Sequence, residues 1–547
     1  MKKIKKILNE IIESSIYAIH NIEIQKRFEG RKKLYNIFPS AKDEFGDYST
    51  NIAIRLSGDE YTPEKVADIL IGEISKKIPS FIEKVEEKNG FINFFFKKEF
   101  YFETLIEILQ EKEKFGSSDI GKEKKVIIEF VSANPTGPLT IAHGRQASFG
   151  EALSRIFSFS GYSVTKEYYL NDAGKQIELL GESLKARYEQ LKGKEYPIPE
   201  EGYWGEYLIE IAKKIKGQPQ SQQFFKNFAV EEILKDIEKD LKDFGVKFDN
   251  WVNENNFLLD GSVEKTIELL EKKGLVYYKD GAKWFKSSSF GDDKDRVLVK
   301  KDGSYTYLAP DIAYHKNKIE RGFDIIINLW GPDHLGYIPR LKAAVESLGF
   351  SSENLKIVIV QLTTLYKGKE KLQMSTRKGQ FITLRQLIEE IGPDASKFFF
   401  LFRKPDSHLD FDLEIAKKQS LENPVYYLQY AYVRILHVLN FAKEKNIEIE
   451  NLEKINFSIF NEEEIKLIKK LSFFSEIIEK ITQSLEVHLL TEFLFDLSKN
   501  FHSYYQKFRI VSEEKELTIA RLSLVKALFY VFSNSLYLLN ISLPEKM

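Results

Sequence analysis

The sequence predicts an α/β fold: a Rossmann-type parallel sheet carrying a long insertion, with a small α+β domain ahead of it and an all-α bundle behind. Two βαβ units predict the sheet. In the first, the run Val126-Ile-Ile-Glu-Phe130 leads into a loop with Pro135, Gly137 and Pro138. Apolar residues then fall at Phe149, Ala152, Leu153, Ile156 and Phe157, and Tyr162 to Leu170 alternates. Spacings of three and four mark an amphipathic helix between two strands, and Gly161 stands where such a helix stops. In the second unit, Asp324 to Trp330 is a strand, Pro339 to Leu348 a helix and Leu355 to Leu362 a strand. Two such units imply a parallel sheet covered on both faces.

The 547 residues exceed the ~250–300 at which single cores stop growing. Residues 1–115 read as the α+β domain, with a helix over Ile4 to Ile19 and a strand over Gly90 to Phe96. A polar linker, Gly116 to Lys125, opens the sheet domain at 116–385. Its insertion, about 175–300, is dominated by helical charge patterns such as Val230 to Phe244. Residues 386–547 read as a helical bundle, with alternating faces over Ala431 to Lys445 and Glu463 to Leu485.

Cysteine is absent, which excludes disulfides, thiolate metal sites and a cysteine nucleophile. The eight histidines show no metal-ligand spacing, so no protein-bound zinc is expected. No apolar run reaches the ~18–20 residues that span a bilayer. The basic start lacks the apolar core of a secretory signal, and the expected compartment is the cytoplasm. Lys and Arg number 81 against 82 Asp and Glu. Affinity for nucleic acid would therefore rest on local patches such as Lys26-Arg27 with Arg31-Lys32-Lys33, not on net charge.

In open α/β sheets, ligands bind beyond the carboxyl ends of the strands. The first such loop reads Glu129-Phe-Val-Ser-Ala-Asn134-Pro-Thr-Gly-Pro-Leu-Thr140-Ile-Ala-His143-Gly144-Arg145. Gly137 and Gly144 permit close backbone approach. His143 falls at a helix start, where free N–H groups and the dipole favour phosphate. The second loop, Tyr366 to Gly379, follows the last strand and carries a cationic segment between Gly368 and Gly379, as expected of a phosphate-binding loop. Taken singly, these residues read as caps, packing residues or solvated loop residues.

Together the two loops resemble the His-Ile-Gly-His and Lys-Met-Ser-Lys-Ser sequences of class I aminoacyl-tRNA synthetases. The specific resemblance is to the arginyl-tRNA synthetase family, through Ser132 to Pro138 and Met374-Ser-Thr-Arg-Lys-Gly379. It extends along the chain through Tyr168 to Gly174, Phe290 to Arg296, Asp311 to His315, Trp330 to Tyr337, Asp406 to Asp412, Asn423 to Tyr430 and Leu543 to Met547.

The resemblance implies an ATP-dependent ligase. The arginine carboxylate attacks the α-phosphate of ATP, pyrophosphate leaves, and arginyl-adenylate passes its arginyl group to the terminal ribose of an arginine-specific tRNA. ATP with Mg²⁺, L-arginine and tRNA are the implied ligands, and a monomer the implied state. Catalytic roles fall to His143, Thr140, Lys378 and Arg377. ATP contacts fall to Pro135, Thr136, Gly137, Ala142, Gly144, His334, Met374 and Ser375. Glu129, Asn134, Tyr307 and Asp311 are implied to hold arginine. Tyr307 and Asp311 stand one helical turn apart, on one face. A guanidinium presents five donors in a fixed fork and needs carboxylates in matching directions. Phe45 to Asn51 match the domain that holds the outer corner of tRNA in this family. Tyr426, Tyr427, Tyr430, Phe501, Tyr504 and Tyr505 lie in the region that reads the anticodon, where aromatic faces stack on bases.

Three positions depart from the family pattern: Thr140 stands for the first His, Ala142 for a Gly, and Gln373 for the first Lys. An active enzyme with rearranged phosphate contacts is expected. The alternative is a catalytically weak paralogue that binds tRNA as a recognition module; the full-length organisation argues against it.

Overall fold

Five parallel strands form the central sheet: β1 (Lys125–Glu129), β2 (Ser163–Leu170), β3 (Asn250–Asn253), β4 (Ile325–Trp330) and β5 (Leu355–Ile359). Their order is β5-β4-β1-β2-β3, every pair parallel. Val126, Ile127 and Ile128 at its centre are fully buried, as befits strands covered on both faces. The chain winds from β1 outward to β3, then crosses to β4 on the other side of β1. The strand order thus reverses between β1 and β4, where ligands bind in folds of this type. There Asn328 of β4 lies in register with Glu129 of β1.

The computed structural model describes residues 4–19, 21–31, 34–40, 42–172, 174–217, 219, 221–368, 370–371, 382–418 and 420–547. Gln373, Met374, Ser375, Arg377, Lys378 and Gly379 lie outside the described residues. The chain divides into two compact units. One comprises 1–116, 434–477 and 499–531; the other, which holds the central sheet, comprises 117–433, 478–498 and 532–547.

Three sequence readings of the sheet unit differ from the structure. The stretch after 386, read as wholly helical, contains the strand Leu409–Asp412, which pairs in parallel with Thr363–Lys367. The last strand ends at Ile359, not at Leu362. The insertion contains long helices, Lys175–Leu191 and Gln222–Asp243, yet it is not wholly helical. It supplies β3 to the central sheet and an antiparallel sheet of Val276–Lys279, Ala282–Phe285 and Arg296–Val299. Strands of four residues carry little periodic signal. Their one strong marker is Asp280-Gly281, both at positive φ, the composition of a two-residue hairpin turn.

Helix α1 (Ile141–Phe159) follows β1. A Cβ on Gly150 would stand 2.1 Å from the ring of Phe130. That glycine lets α1 settle against the residue that follows β1.

In the other unit, a four-stranded antiparallel sheet orders Ile37–Pro39, Tyr48–Thr50, Phe91–Phe96 and Ile82–Lys88 side by side. Asp47, Tyr48, Ser49 and Thr50 are buried within it. Asp47 accepts from the Phe96 amide at 2.6 Å and from the Tyr101 hydroxyl, and pairs with Lys469 at 2.6 Å. The segment Phe45 to Asn51, which the resemblance linked to tRNA, thus has a buried, structural centre. Among the aromatic residues linked to the anticodon, Phe501 and Tyr504 are core, whereas Tyr505 is exposed.

Gly150→Val overpacks the Phe130 contact, and overpacking a well-filled site costs about 1–3 kcal/mol. The urea midpoint should fall by a corresponding amount at constant slope. An unchanged midpoint would mean that helix and ring reseat freely.

Candidate active site

The crevice between the carboxyl ends of β1 and β4 gathers carboxylates. Glu129 ends β1 and is buried. After it the chain turns sharply, with Val131 at φ 68° and Ser132 at φ 40°. Left-handed backbone is costly for a β-branched residue. The turn is held by Ser132, whose Oγ accepts from the Tyr169 amide at 3.1 Å and donates to Glu129 Oε1 at 3.2 Å.

Helix α2 (Leu308–Glu320) supplies the facing wall. Asp311, Tyr314, His315 and Lys318 lie at spacings of three, four and seven, so they share one face. Asp311 Oδ2 accepts from the Tyr337 hydroxyl at 2.5 Å. Burial pushes the Asp311 carboxyl up to about 7; the Tyr337 hydrogen bond opposes this, and the charges of Glu254 and Glu129 add to it. Glu254 Oε2 accepts from Tyr169 at 3.0 Å, and its carboxyl is also raised, by burial first. Glu254 itself is set in place by Asp172, which accepts from Asn253 Nδ2 at 3.0 Å and the Asn255 amide at 3.2 Å. Behind them, Glu167 is neutralised by Arg321 at 2.7 Å and accepts from Tyr314 at 2.8 Å. An acidic cluster results, in which the charge of Glu254 adds to the proton affinity of Asp311 and that of Asp172 to the proton affinity of Glu254.

The first loop, expected to meet the nucleotide, ends at the start of α1. Thr140 is the N-cap residue, and its backbone N–H donates to His143 Nδ1 at 3.1 Å. That bond requires Nδ1 to accept, so the neutral ring carries its proton on Nε2. Desolvation lowers His143 to about 4, so this neutral form prevails at pH 7. Thr140 also forms an isolated antiparallel bridge with Thr383, and Leu384 donates to the Leu139 carbonyl at 2.7 Å. The first loop is thereby stitched to the chain just beyond the second.

Other sequence-predicted residues are placed differently from one another. Asn134 donates to Gln176 Oε1 at 2.8 Å. The Thr136 carbonyl accepts from the Tyr207 hydroxyl at 2.5 Å, and a Cβ on Gly137 would stand 3.3 Å from that hydroxyl. Pro135 is buried and Ala142 half-buried. Gly144 is buried, and a Cβ there would meet Leu384 at 2.8 Å and Phe400 at 3.2 Å. Its closeness serves helix packing. His334 is exposed beside Asp333. Tyr307 stands at the N-cap of α2 and is 80% exposed, so it is not enclosed with Asp311.

Sequence reasoning missed Glu254, Tyr337, Tyr169 and Lys318. The signal for Lys318 was present: a cation on the stripe of α2 that otherwise buries Ile312, Tyr314 and His315. Glu254 sits in the insertion, with no local pattern to mark it.

Three family models match the chain in order. They are an arginyl tRNA synthetase N terminal domain over residues 2–96, a catalytic domain of class I (R) tRNA synthetases over 104–399, and a DALR anticodon binding domain over 428–547. The chain is 43% identical to the arginine–tRNA ligase of Oceanobacillus iheyensis, over 93% of this chain and 94% of that one. It is 42% identical to that of Bacillus subtilis over the same shares. Among solved structures, a putative arginyl-tRNA synthetase from Campylobacter jejuni matches at TM-score 0.75 and 34% identity, covering 82% of this chain and 100% of that one. Thermus thermophilus arginyl-tRNA synthetase shares the fold at TM-score 0.78 and 20% identity, with 100% of both chains covered.

Tyr337→Phe removes the hydrogen bond that holds Asp311 down. The protonation midpoint of Asp311, read from its carboxyl infrared band against an Asp311→Asn control, should then rise above about 7. A midpoint that stays or falls would show that Tyr337 does not stabilise the ionised form.

Proposed function

The chain belongs to the arginyl-tRNA synthetases, and we propose that Asp311 and Glu254 take the guanidinium of its amino-acid substrate. The chain is an ATP-dependent ligase that joins arginine to its tRNA. Residue roles are our reading of the geometry. One observation carries it: Asp311 and Glu254 are half-buried carboxyls with raised proton affinity, near enough for the charge of Glu254 to act on Asp311, and both accept from phenols. A guanidinium is always charged and presents its donors as a planar fork, which suits two carboxylates better than an ammonium does. Glu129 would accept the α-ammonium, with Asn134 beside it, so that the carboxylate of arginine faces the nucleotide. Tyr307 lies outside this enclosure and would meet arginine only from the pocket's mouth.

The first reaction joins that carboxylate to the α-phosphate and releases pyrophosphate. No protein nucleophile is involved; positioning and stabilised phosphate charge do the work. His143 would donate from Nε2, and the N-terminus of α1 adds its dipole. Thr140 would donate its hydroxyl where the family has a His. Arg377, Lys378, Met374 and Ser375 would meet the phosphates and adenosine from the second loop, and Pro135, Thr136, Gly137, Ala142 and His334 from the first side. Gly144 would act through packing. Mg²⁺ would be carried mostly by phosphates and water; among the described residues no group of three His, Asp or Glu is placed to hold a cation. The adenylate then passes arginine to the terminal ribose of tRNA. Residues 1–115 would hold the outer corner of that tRNA and 386–547 its anticodon, around a catalytic domain at 116–385. The reading includes a monomer in the cytoplasm, where tRNA and ATP are found. Among the described residues no helix is long and apolar enough to cross a membrane.

Asp311→Ala should abolish pyrophosphate exchange with arginine, ATP and tRNA while the fold survives. Losing one partner of a desolvated charge pair costs about 2–5 kcal/mol, roughly 30- to several-thousand-fold in affinity. A panel of amino acids tests the specificity; a folded variant with normal arginine kinetics would refute the assignment. Because a proton competes with arginine for Asp311, wild-type arginine affinity should fall on the order of tenfold per pH unit below about 7. A flat profile between pH 5 and 7, taken as roughly two units of proton competition, would contradict the role of this carboxylate.

A further inference from the structure

Beneath the acidic pocket lies a buried cation that the reaction as described does not use. Lys318 is fully buried. Its Nζ stands 2.5 Å from Glu129 Oε2 and 3.1 Å from Asn328 Oδ1, over the Tyr314 ring at 4.2 Å. The chain of hydrogen bonds continues. Asn328 Nδ2 lies 2.9 Å from His315 Nε2, and His315 Nδ1 lies 2.8 Å from the Asp311 carbonyl. Each direction is fixed. The Asp311 carbonyl can only accept, so Nδ1 carries the proton of His315, Nε2 accepts from Asn328, and Asn328 Oδ1 accepts from Lys318. One polarised path thus joins the carboxylate at the end of β1 to the backbone that carries Asp311.

An ammonium removed from water needs excellent compensation to be retained. Here the compensation is the carboxylate assigned above to the α-ammonium of arginine. Glu129 has two oxygens. Lys318 occupies Oε2, while Oε1 accepts only from Ser132 among the hydrogen bonds described. Lys318 offsets the charge of Glu129, so the uncompensated carboxyls here are Glu254 and Asp311, with Asp172 behind Glu254.

We propose that Lys318 is a positioning residue for amino-acid recognition: it fixes the Glu129 carboxylate from below so that its remaining oxygen receives the α-ammonium. The proposal rests on the arginine-pocket reading. It predicts that Lys318 governs recognition of one end of the substrate only. The guanidinium end belongs to Asp311, two turns earlier on the same helix, and to Glu254 of the insertion.

The test compares binding of arginine with that of 5-guanidinopentanoate, which keeps the guanidinium and carboxylate but lacks the α-amino group. Equilibrium dialysis on the full-length protein gives both affinities. Lys318→Met should weaken arginine at least tenfold while changing the deamino analogue less than threefold. Glu129→Gln should show the same pattern. The double variant should be no weaker for arginine than Glu129→Gln alone, because Lys318 acts through Glu129. Equal losses for both ligands would make Lys318 merely structural and overturn the proposal, as would no loss for either. If Lys318→Met does not fold, Asn328→Ser, which frees the ammonium on its other side, reads the same ratio and should move it the same way; an unmoved ratio overturns the proposal. Asp311→Ala separates the two levels. If that variant binds arginine normally, the pocket assignment has failed; if it loses both ligands while Lys318→Met retains both, only the role of Lys318 has failed.

Discussion

Compensation of buried negative charge is the constraint on which the sheet edge depends. Four carboxylates, Glu129, Glu167, Glu254 and Asp311, converge where β1 and β4 part. Glu167 is answered by Arg321 and Glu129 by Lys318, each at ion-pair distance. Glu254 and Asp311 have tyrosine hydroxyls as their described hydrogen-bond partners. A phenol stabilises an anion less than a cation does, so burial dominates and both carboxyls are raised. The inequality has a use. The carboxyls left with dipoles as partners are the two that the guanidinium would meet on the reading proposed above, while full charges fix Glu167 and Glu129. An ionised carboxyl left unmatched away from water is expensive; raised proton affinity lowers that cost for Asp311 and Glu254, and on the reading proposed above a guanidinium would take the proton's place.

The same edge stores a geometric constraint. Two consecutive left-handed residues, Val131 and Ser132, turn the chain off β1. Such a turn persists only when its surroundings over-determine it. Here Ser132 bonds both Tyr169 and Glu129, and Tyr168 donates to the Ala133 carbonyl at 2.8 Å. The consequence reaches the rest of the first loop, because the direction in which residues 133–140 leave the sheet decides where α1 begins. The bridge between Thr140 and Thr383 then ties that beginning to the far end of the second loop.

Much of this architecture was legible in the sequence, for identifiable reasons. Val126, Ile127 and Ile128, and Ile326 and Ile327, are fully buried, and buried parallel strands read as unbroken apolar runs. The carboxylates Glu129 and Asp311 were found because they fall within recognisable segments. What stayed hidden is what tertiary structure alone brings together. Glu254 comes from the insertion, more than a hundred residues from Glu129 along the chain, and reaches the pocket only because β3 joins the sheet. Tyr337 follows β4 by one short turn, yet only its contact with Asp311 reveals a role. Tyr307 errs in the opposite direction. Helical spacing placed it beside Asp311, and the Asp311 amide does donate to its carbonyl at 3.4 Å, but the Tyr307 side chain is exposed at the start of α2.

The departure at Thr140 can be understood through helix capping rather than through lost charge. Threonine is among the residues that begin helices well. A side chain at the third helical position commonly reaches back to the N-cap amide, a part usually played by Glu or Gln. Here His143 plays it with Nδ1. The same contact that completes the helix start therefore selects the imidazole tautomer, leaving Nε2–H as the donor. A protonated ring would have to surrender the Thr140 amide as partner, since both its nitrogens donate. Burial already holds His143 neutral, so cap and desolvation act in the same sense. A residue chosen for capping thus fixes the hydrogen-bonding character of its neighbour, and replacing the family's first histidine leaves that device intact.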